Sequence, residues 1–242
     1  MEKAAFAAAE LQLDYFRQFD KLNPEEKQPK DYVTEADKKS EERIIEILSE
    51  EFPDYGFIGE ESGETNPSAK QKFIIDPLDG TVNFMKGVPF FCVSIGLADL
   101  GDSEKLESIE QIKAGYIYAP YLKESFYAER GSGAFVDNVL VTKPDSSPGI
   151  LASIGFKQID RRGQFPLIDE IVKSSSHRRF LGAAALELAY VAAGRFDSFA
   201  HLCLNPWDMA AAAVILEEAN YKVQDLNGGR DIFTNKNILA TH

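Results

Sequence analysis

The 242-residue chain is poor in the residues that announce a disulfide scaffold or a zinc site. Its two cysteines, Cys92 and Cys203, sit in apolar runs (FFCVSIGL and HLCLN), so buried reduced thiols are expected. It also lacks an apolar stretch near the roughly 20 residues that cross a bilayer; the longest runs, 88–98 and 209–216, are shorter. The opening MEKAAFAAAELQLDYF has neither a basic leader nor a cleavage pattern and reads as a helix. A cytoplasmic protein without a membrane partner is therefore expected. Basic charge is scarce as well, with 26 Lys+Arg against 39 Asp+Glu and a net charge of -13. So acidic a chain repels a phosphate backbone, which argues against a nucleic-acid polymer as partner. The same acidity opposes a phosphorylated small molecule unless a divalent cation lies between.

What is present is enough for a large core: 44% hydrophobic and 11% aromatic residues exclude disorder as the main state. Apolar spacing predicts helices over 4–19 and 35–52, short buried strands at 57–59 and 72–75, and a polar loop at 64–70 between them. A long strand over 88–100 and further strands at 112–118, 125–129 and 134–141 suggest a mostly antiparallel sheet. After Pro144-Asp145-Ser146-Ser147-Pro148-Gly149 the pattern alternates: strand 150–154, helix 165–175, strand 177–181, helix 183–194, strand 196–202, helix 207–219, strand 221–225. The predicted division is a lobe at 1–145 with most of the acidic motifs and a lobe at 146–242 with Asp208, the two facing each other across a cleft.

The most informative segment is Phe73-Ile74-Ile75-Asp76-Pro77-Leu78-Asp79-Gly80-Thr81, an apolar strand that breaks at proline and delivers two carboxylates three residues apart. Two acids and an intervening carbonyl suit a hard cation such as Mg²⁺. They also suit a turn whose aspartates accept from backbone amides. Gly59-Glu60-Glu61-Ser62 repeats the strand-to-carboxylate design, and Asn205-Pro206-Trp207-Asp208 puts an acid where an Ala-rich helix begins. Glu60 could equally end a strand in solvent, and Asp208 could serve only the helix dipole. Asp37, after Thr34, has a helix-entry reading of the same kind.

Together, Asp31-Tyr32-Val33-Thr34…Asp37, Gly59-Glu60-Glu61-Ser62, Asp76-Pro77-Leu78-Asp79-Gly80-Thr81-Val82-Asn83-Phe84 and Trp207-Asp208-Met209-Ala210-Ala211 occur in the order and spacing of a known family. The chain resembles the inositol monophosphatases, lithium-sensitive and Mg²⁺-dependent, over nearly its whole length. The resemblance implies an α+β fold, a layered α-β-α-β-α sandwich related to fructose-1,6-bisphosphatase, commonly a homodimer. It implies two or three Mg²⁺ ions held by Glu60, Asp76, the carbonyl of Leu78, Asp79 and Asp208. Thr81, with Asp37 and Glu60, would orient and deprotonate the attacking water, and the Gly80 and Thr81 amides, beside Asp79, would hold the phosphate.

Departures from the family bear on substrate choice. His201 stands where many members carry a glutamate for sugar hydroxyls, and Gly182-Ala183-Ala184 replaces Gly-Ser-Ala at the substrate loop. His201 has both a substrate-binding and a structural reading beside Phe199, Leu202 and Leu204. Arg178, Arg179 and Arg195 are candidates either for the phosphate or for surface pairing. The expected activity is hydrolysis of a small phosphate monoester, inositol monophosphate or a related sugar or polyol phosphate. Fructose-1,6-bisphosphatase, bisphosphate nucleotidase and histidinol-phosphatase are alternatives, and a non-catalytic regulator that binds metal or phosphate is the alternative of a different class.

Overall fold

The computed structural model describes residues 1–18, 22–28, 31–142, 151–156, 173 and 175–241. Helix α1 (Glu2–Tyr15) stops short of the expected 19 because Arg17 turns into left-handed backbone at φ 67. A small hairpin, β1 (Glu25–Gln28) and β2 (Asp31–Val33), precedes α2 (Glu35–Glu51) and carries no signal that the sequence pattern separated from loop. Thr34 caps α2: its hydroxyl accepts from the Ala36 amide, and its own amide donates to Asp37 Oδ2 at 2.8 Å.

Eight strands form the first sheet: β3 (Gly56–Gly59), β4 (Gly63–Thr65), β5 (Gln71–Asp79), β6 (Cys92–Asp99), β7 (Ile112–Ala119), β8 (Glu124–Glu129), β9 (Ala134–Val136) and β10 (Val139–Leu140). Their spatial order is β10-β9-β8-β7-β6-β5-β3-β4, antiparallel throughout except for the β3–β5 pair. The long strand expected at 88–100 begins only at Cys92. The strand expected at 134–141 folds back on itself, since Asp137 and Asn138, at φ 48 and 66, make the two-residue hairpin turn that matches strand twist. Residues 64 and 65 of the expected loop, with Gly63 before them, pair with β3 instead.

The second sheet contains β11 (Leu151–Phe156), β12 (His177–Arg179), β13 (Ser198–Leu202), β14 (Lys222–Gln224) and β15 (Asn237–Thr241), ordered β12-β11-β13-β15-β14. Strand β15, which the sequence pattern did not reveal, runs antiparallel between β13 and β14 and completes the sheet. Between the sheets lie α4 (Ala184–Ala192) and α5 (Pro206–Glu218), after the short α3 (Thr81–Met85) and before the one-turn α6 (Ile232–Asn235). Helices α1 and α2 cover the other face of the first sheet through Ala4, Ala5, Ala8, Ile44, Ile47 and Leu48, packed on Phe57, Phe73, Ile75, Val93 and Ile95. The fold is an α+β layered sandwich. Four layers, α-β-α-β, are described; the expected helix 165–175, almost all of it, and the lobe division at 145/146 fall outside the described residues.

Helix α5 is apolar all round because both sheets press on it, and residues 209–216 are buried without exception. Its run of alanines lets the first sheet come close: a Cβ on Gly115 of β7 would lie 2.3 Å from the Ala211 carbonyl oxygen. Backbone cannot yield as a flexible side chain can, so Gly115→Ala is expected to cost more than the roughly 1–3 kcal/mol of ordinary overpacking. Denaturant unfolding measures this; a variant within 0.5 kcal/mol of wild type, as an order-of-magnitude bound, would show that the layers are not so tightly apposed.

Candidate active site

Strand β5 buries Phe73, Ile74 and Ile75 and then enters the cleft. Asp76 pairs with Ser94 and Asp79 with Cys92, so three steps on β5 match two on β6. The extra residue is a bulge. In a regular strand, side chains three apart point to opposite faces; the bulge resets that alternation, so both aspartates line one cleft. Pro77 sits where the ladder is interrupted, and its carbonyl accepts from buried Gln12 of α1 at 2.6 Å. Gly80 follows at φ 93, a backbone that disfavours a side chain, and a Cβ there would sit tightly at 3.0 Å from the Phe90 carbonyl and 3.1 Å from the Ala183 methyl.

Asp208 arrives from the other side as the third residue of α5. Its Oδ2 accepts from the Asn205 amide at 2.7 Å, so it closes the capping box at the helix start and lines the cleft as well. One carboxylate oxygen each from Asp76, Asp79 and Asp208 lie within 4.8 Å of one another, on residues 1%, 8% and 6% exposed. Glu60 joins them from the end of β3, its amide donating to the Ile75 carbonyl at 3.1 Å. Lys27 pairs with Glu61 and reaches within 3.6 Å of Glu60 Oε1.

Burial and mutual repulsion show in the proton affinities. Burial raises the Asp76 carboxyl well above its usual range, with Glu60, Asp79 and Asp208 adding to it. Glu60 is pushed up to about 8 by burial, against the pull of Lys27 and with the push of Asp208. Asp79 is pushed up to about 7 by burial and Asp208, although the amides of Ala185 and Ala184 favour its charge. An all-oxygen donor set that cannot stay charged unaided is what a hard divalent cation fits.

Asp37 is buried beneath the cleft, and burial pushes its carboxyl up to about 6 despite bonds from Thr34. The Thr34 amide and hydroxyl occupy Oδ2, while Thr81 Oγ1 donates to Oδ1 at 3.0 Å and also approaches the Leu78 carbonyl at 3.1 Å. Thr81 thus stands between Asp37 and the cleft. Leu78, Gly80, Gly182, Ala184 and His201 also line it, whereas Ala183 has its methyl fully buried. His201 Nδ1 lies 2.6 Å from the Leu202 carbonyl, which only accepts, so that nitrogen carries the proton. Arg195 pairs with both oxygens of Glu124 and stacks on Tyr190, and neither Arg178 nor Arg179 lines the cleft. Cys92 and Cys203 are free thiols, Cys92 buried and Cys203 only partly so. Tyr32, Val82 and Leu204 also line the cleft, together with Phe180, 58% exposed. An isolated aromatic after two arginines offers no spacing signal, so Phe180 was not among the expected site residues.

Sequence and structure comparisons agree on one class. The profile of the inositol monophosphatase family matches residues 1–242. An inositol-1-monophosphatase of Mesorhizobium japonicum is 38% identical over 246 residues, covering 99% of this chain and 89% of that protein. The protein named Nus factor SuhB of Pasteurella multocida is 36% identical, with 98% and 88% covered. The crystal structure of extragenic suppressor protein suhB from Bartonella henselae superposes with a TM-score of 0.90 at 39% identity, covering all of this chain and 92% of that one. The chain belongs to the inositol monophosphatase family, a family of metal-dependent phosphatases acting on small phosphate compounds. No helix among the described residues is long and apolar enough to cross a membrane.

The raised carboxyl affinities fix the sign of a pH effect. Between pH 4 and 8 the folded, metal-free cleft binds more protons than the unfolded chain does, so these groups make stability fall as pH rises. Melting temperature in chelator should therefore decline over that range more steeply for wild type than for Asp76→Asn, and a divalent cation should remove most of the difference. Equal slopes for the two proteins would show that the cluster is not under this strain.

Proposed function

We propose that the protein hydrolyses a small phosphate monoester, inositol monophosphate or a related sugar or polyol phosphate, with Mg²⁺ held by Glu60, Asp76, the Leu78 carbonyl, Asp79 and Asp208. The observation that carries this reading is the convergence of three buried aspartates from β5 and α5 beside a threonine hydroxyl already bonded to a buried carboxylate. Bound there, Mg²⁺ supplies a lowered water pKa and a positive field that lets an acidic protein accept a phosphate dianion. Two or three ions are assigned here: the four carboxylates balance the charge of two, and a phosphate dianion would balance a third.

The chain's own residues supply the rest. Thr81 Oγ1, donating to Asp37 Oδ1, keeps lone pairs for the proton of an attacking water and can pass its own proton to Asp37. Asp37 is prepared for this, since burial raises its proton affinity while two donors on Oδ2 hold its orientation. The amides of Gly80 and Thr81, at the left-handed turn, are assigned to the phosphate oxygens. Gly182 and Ala184 form the wall toward the leaving group, and His201, which lines the cleft beside them, is assigned to one of its hydroxyls. Residues on either side of 145/146 thus divide the labour, the first half carrying most cation ligands and the second Asp208 and the leaving-group wall.

Hydrolysis of a monoester panel should require Mg²⁺, be inhibited by lithium, and be abolished by Asp79→Asn; turnover undiminished in excess chelator would overturn the assignment. The ranking of inositol, sugar, nucleoside and histidinol phosphates identifies the leaving group. Thr81→Ala should lower kcat by roughly 10²-fold or more, with Mg²⁺ affinity and melting temperature little changed. A near-normal single-turnover rate would leave Thr81 as a turn cap only.

A further inference from the structure

We propose that Glu41 is a positioning residue for Glu60, clamping the turn that carries it and thereby setting the strength with which the cleft holds a cation. The proposal rests on reading the cleft as a cation site. Glu41 lies four residues after Asp37 on α2, so both project from one helix face, and each is only 1% exposed. Asp37 spends its oxygens on Thr34 and Thr81. Glu41 spends both of its own on main chain: Oε2 accepts the Glu61 amide at 3.0 Å and Oε1 the Ser62 amide at 2.6 Å.

Those two amides immediately follow Glu60, whose own amide is tied to the Ile75 carbonyl, one residue before Asp76. Glu60 is therefore fixed from both sides, to β5 before it and to α2 after it. The turn itself does not need this clamp, because residues 60–62 are a three-residue hairpin loop closed by Gly63 in left-handed backbone at φ 72. Burying a carboxylate costs free energy that a loop closing unaided does not recover. Gly59 shows how closely the clamp is fitted: a Cβ there would lie 2.7 Å from Glu41 Cδ and from both of its oxygens. Glutamine at 41 would turn an NH₂ group against one of two N–H donors, releasing half the clamp.

The test is Mg²⁺ titration calorimetry on metal-free wild type, Glu41→Gln, Gly59→Ala, Glu60→Gln and the Glu41→Gln/Glu60→Gln pair, with hydrogen exchange at residues 61 and 62. Glu41→Gln should weaken Mg²⁺ binding by roughly tenfold or more, the usual scale for losing a group that orients a ligand. It should deprotect the two amides before any metal is added and leave kcat at saturating Mg²⁺ within a few-fold. Gly59→Ala, which keeps the carboxylate but displaces it, should shift affinity in the same direction and carries the comparison if Glu41→Gln does not fold. In the Glu60→Gln background the Glu41 effect should vanish. Unchanged affinity in both clamp variants, or an equal loss with and without Glu60, would overturn the proposal and leave Glu41 a scaffold residue. If wild type binds no Mg²⁺, or Glu60→Gln binds as tightly as wild type, the cation-site reading itself fails.

Discussion

Asp76, Asp79 and Asp208 bring oxygens within 4.8 Å of one another in a place with little water, and the rest of the molecule is arranged around holding them there. Each carboxylate, alone, would be satisfied at the surface. Asp79 and Asp208 raise the proton affinity of Asp76, Asp208 raises that of Asp79, and Glu60 adds its own push on Asp76 from the end of β3. A chain that only had to fold would separate them or pair each with a base; buried like charges persist when something other than stability maintains them. The repulsion is tolerable because the backbone that carries each acid is anchored independently. Asp76 accepts from the Leu78 amide, Asp79 from that of Ala185, and Asp208 from that of Asn205.

Elements from several layers hold the cleft, which explains why the layered fold suits it. Strand β5 is in the interior of the first sheet, between β3 and β6, and cannot shift without breaking two ladders. Helix α5 is gripped between the sheets, so its N-terminus, with Asp208, is as rigid as the core itself. On the opposite face α2 presents Asp37 and Glu41 toward the cleft, while Gln12 of α1 holds the Pro77 carbonyl at the bulge. Asn83 joins the halves: its side-chain amide donates to the carbonyls of Phe90 and Leu181, tying the turn after Asp79 to the loop before Gly182. A cleft between two sheets thereby behaves as a single rigid site.

Much of this was legible in the residues. The strand-to-carboxylate motifs at Glu60 and Asp76 and the capped helices at Asp37 and Asp208 are local patterns, and local patterns survive without knowledge of the fold. What the pattern left open was whether each aspartate capped a turn or faced a ligand, and for Asp208 the two alternatives are not exclusive, since one oxygen caps while the residue lines the cleft. Non-local features were not legible. Strand β15 pairs with segments 35 residues before it and only 13 before it, and nothing in Asn237-Ile238-Leu239-Ala240 states which neighbours it will find. Glu41 looks like one more charge on an acidic helix face; only the packing of β3 against α2 turns it inward. Arg195 carried two readings for the complementary reason, since a cation near a phosphate motif is suggestive until Glu124 and Tyr190 are seen to hold it elsewhere.

On the proposed function, the residues assigned to the chemistry and those assigned to substrate choice lie largely on different elements. The carboxylates, Thr81 and the Gly80 turn are fixed by the bulge, the helix caps and main-chain bonds, among which the Ala185 amide on Asp79 and the Leu181 carbonyl on Asn83 reach across the cleft. The opposite wall is built from the second sheet, where β11 and β13 run parallel with Gly155 directly beside His201. A side chain at 155 would collide with the imidazole and with the Phe180 ring, so a glycine on one strand makes room for two rings on the wall. His201 stacks on Phe199 below it and lies 5.9 Å from Phe180 beside it, centroid to centroid. That wall sets a buried imidazole beside an exposed aromatic face, whereas a carboxylate at 201 would add a charge. On the proposed function, changes at 155, 180 and 201 would alter the leaving group that the cleft accepts without replacing a residue assigned to the cation.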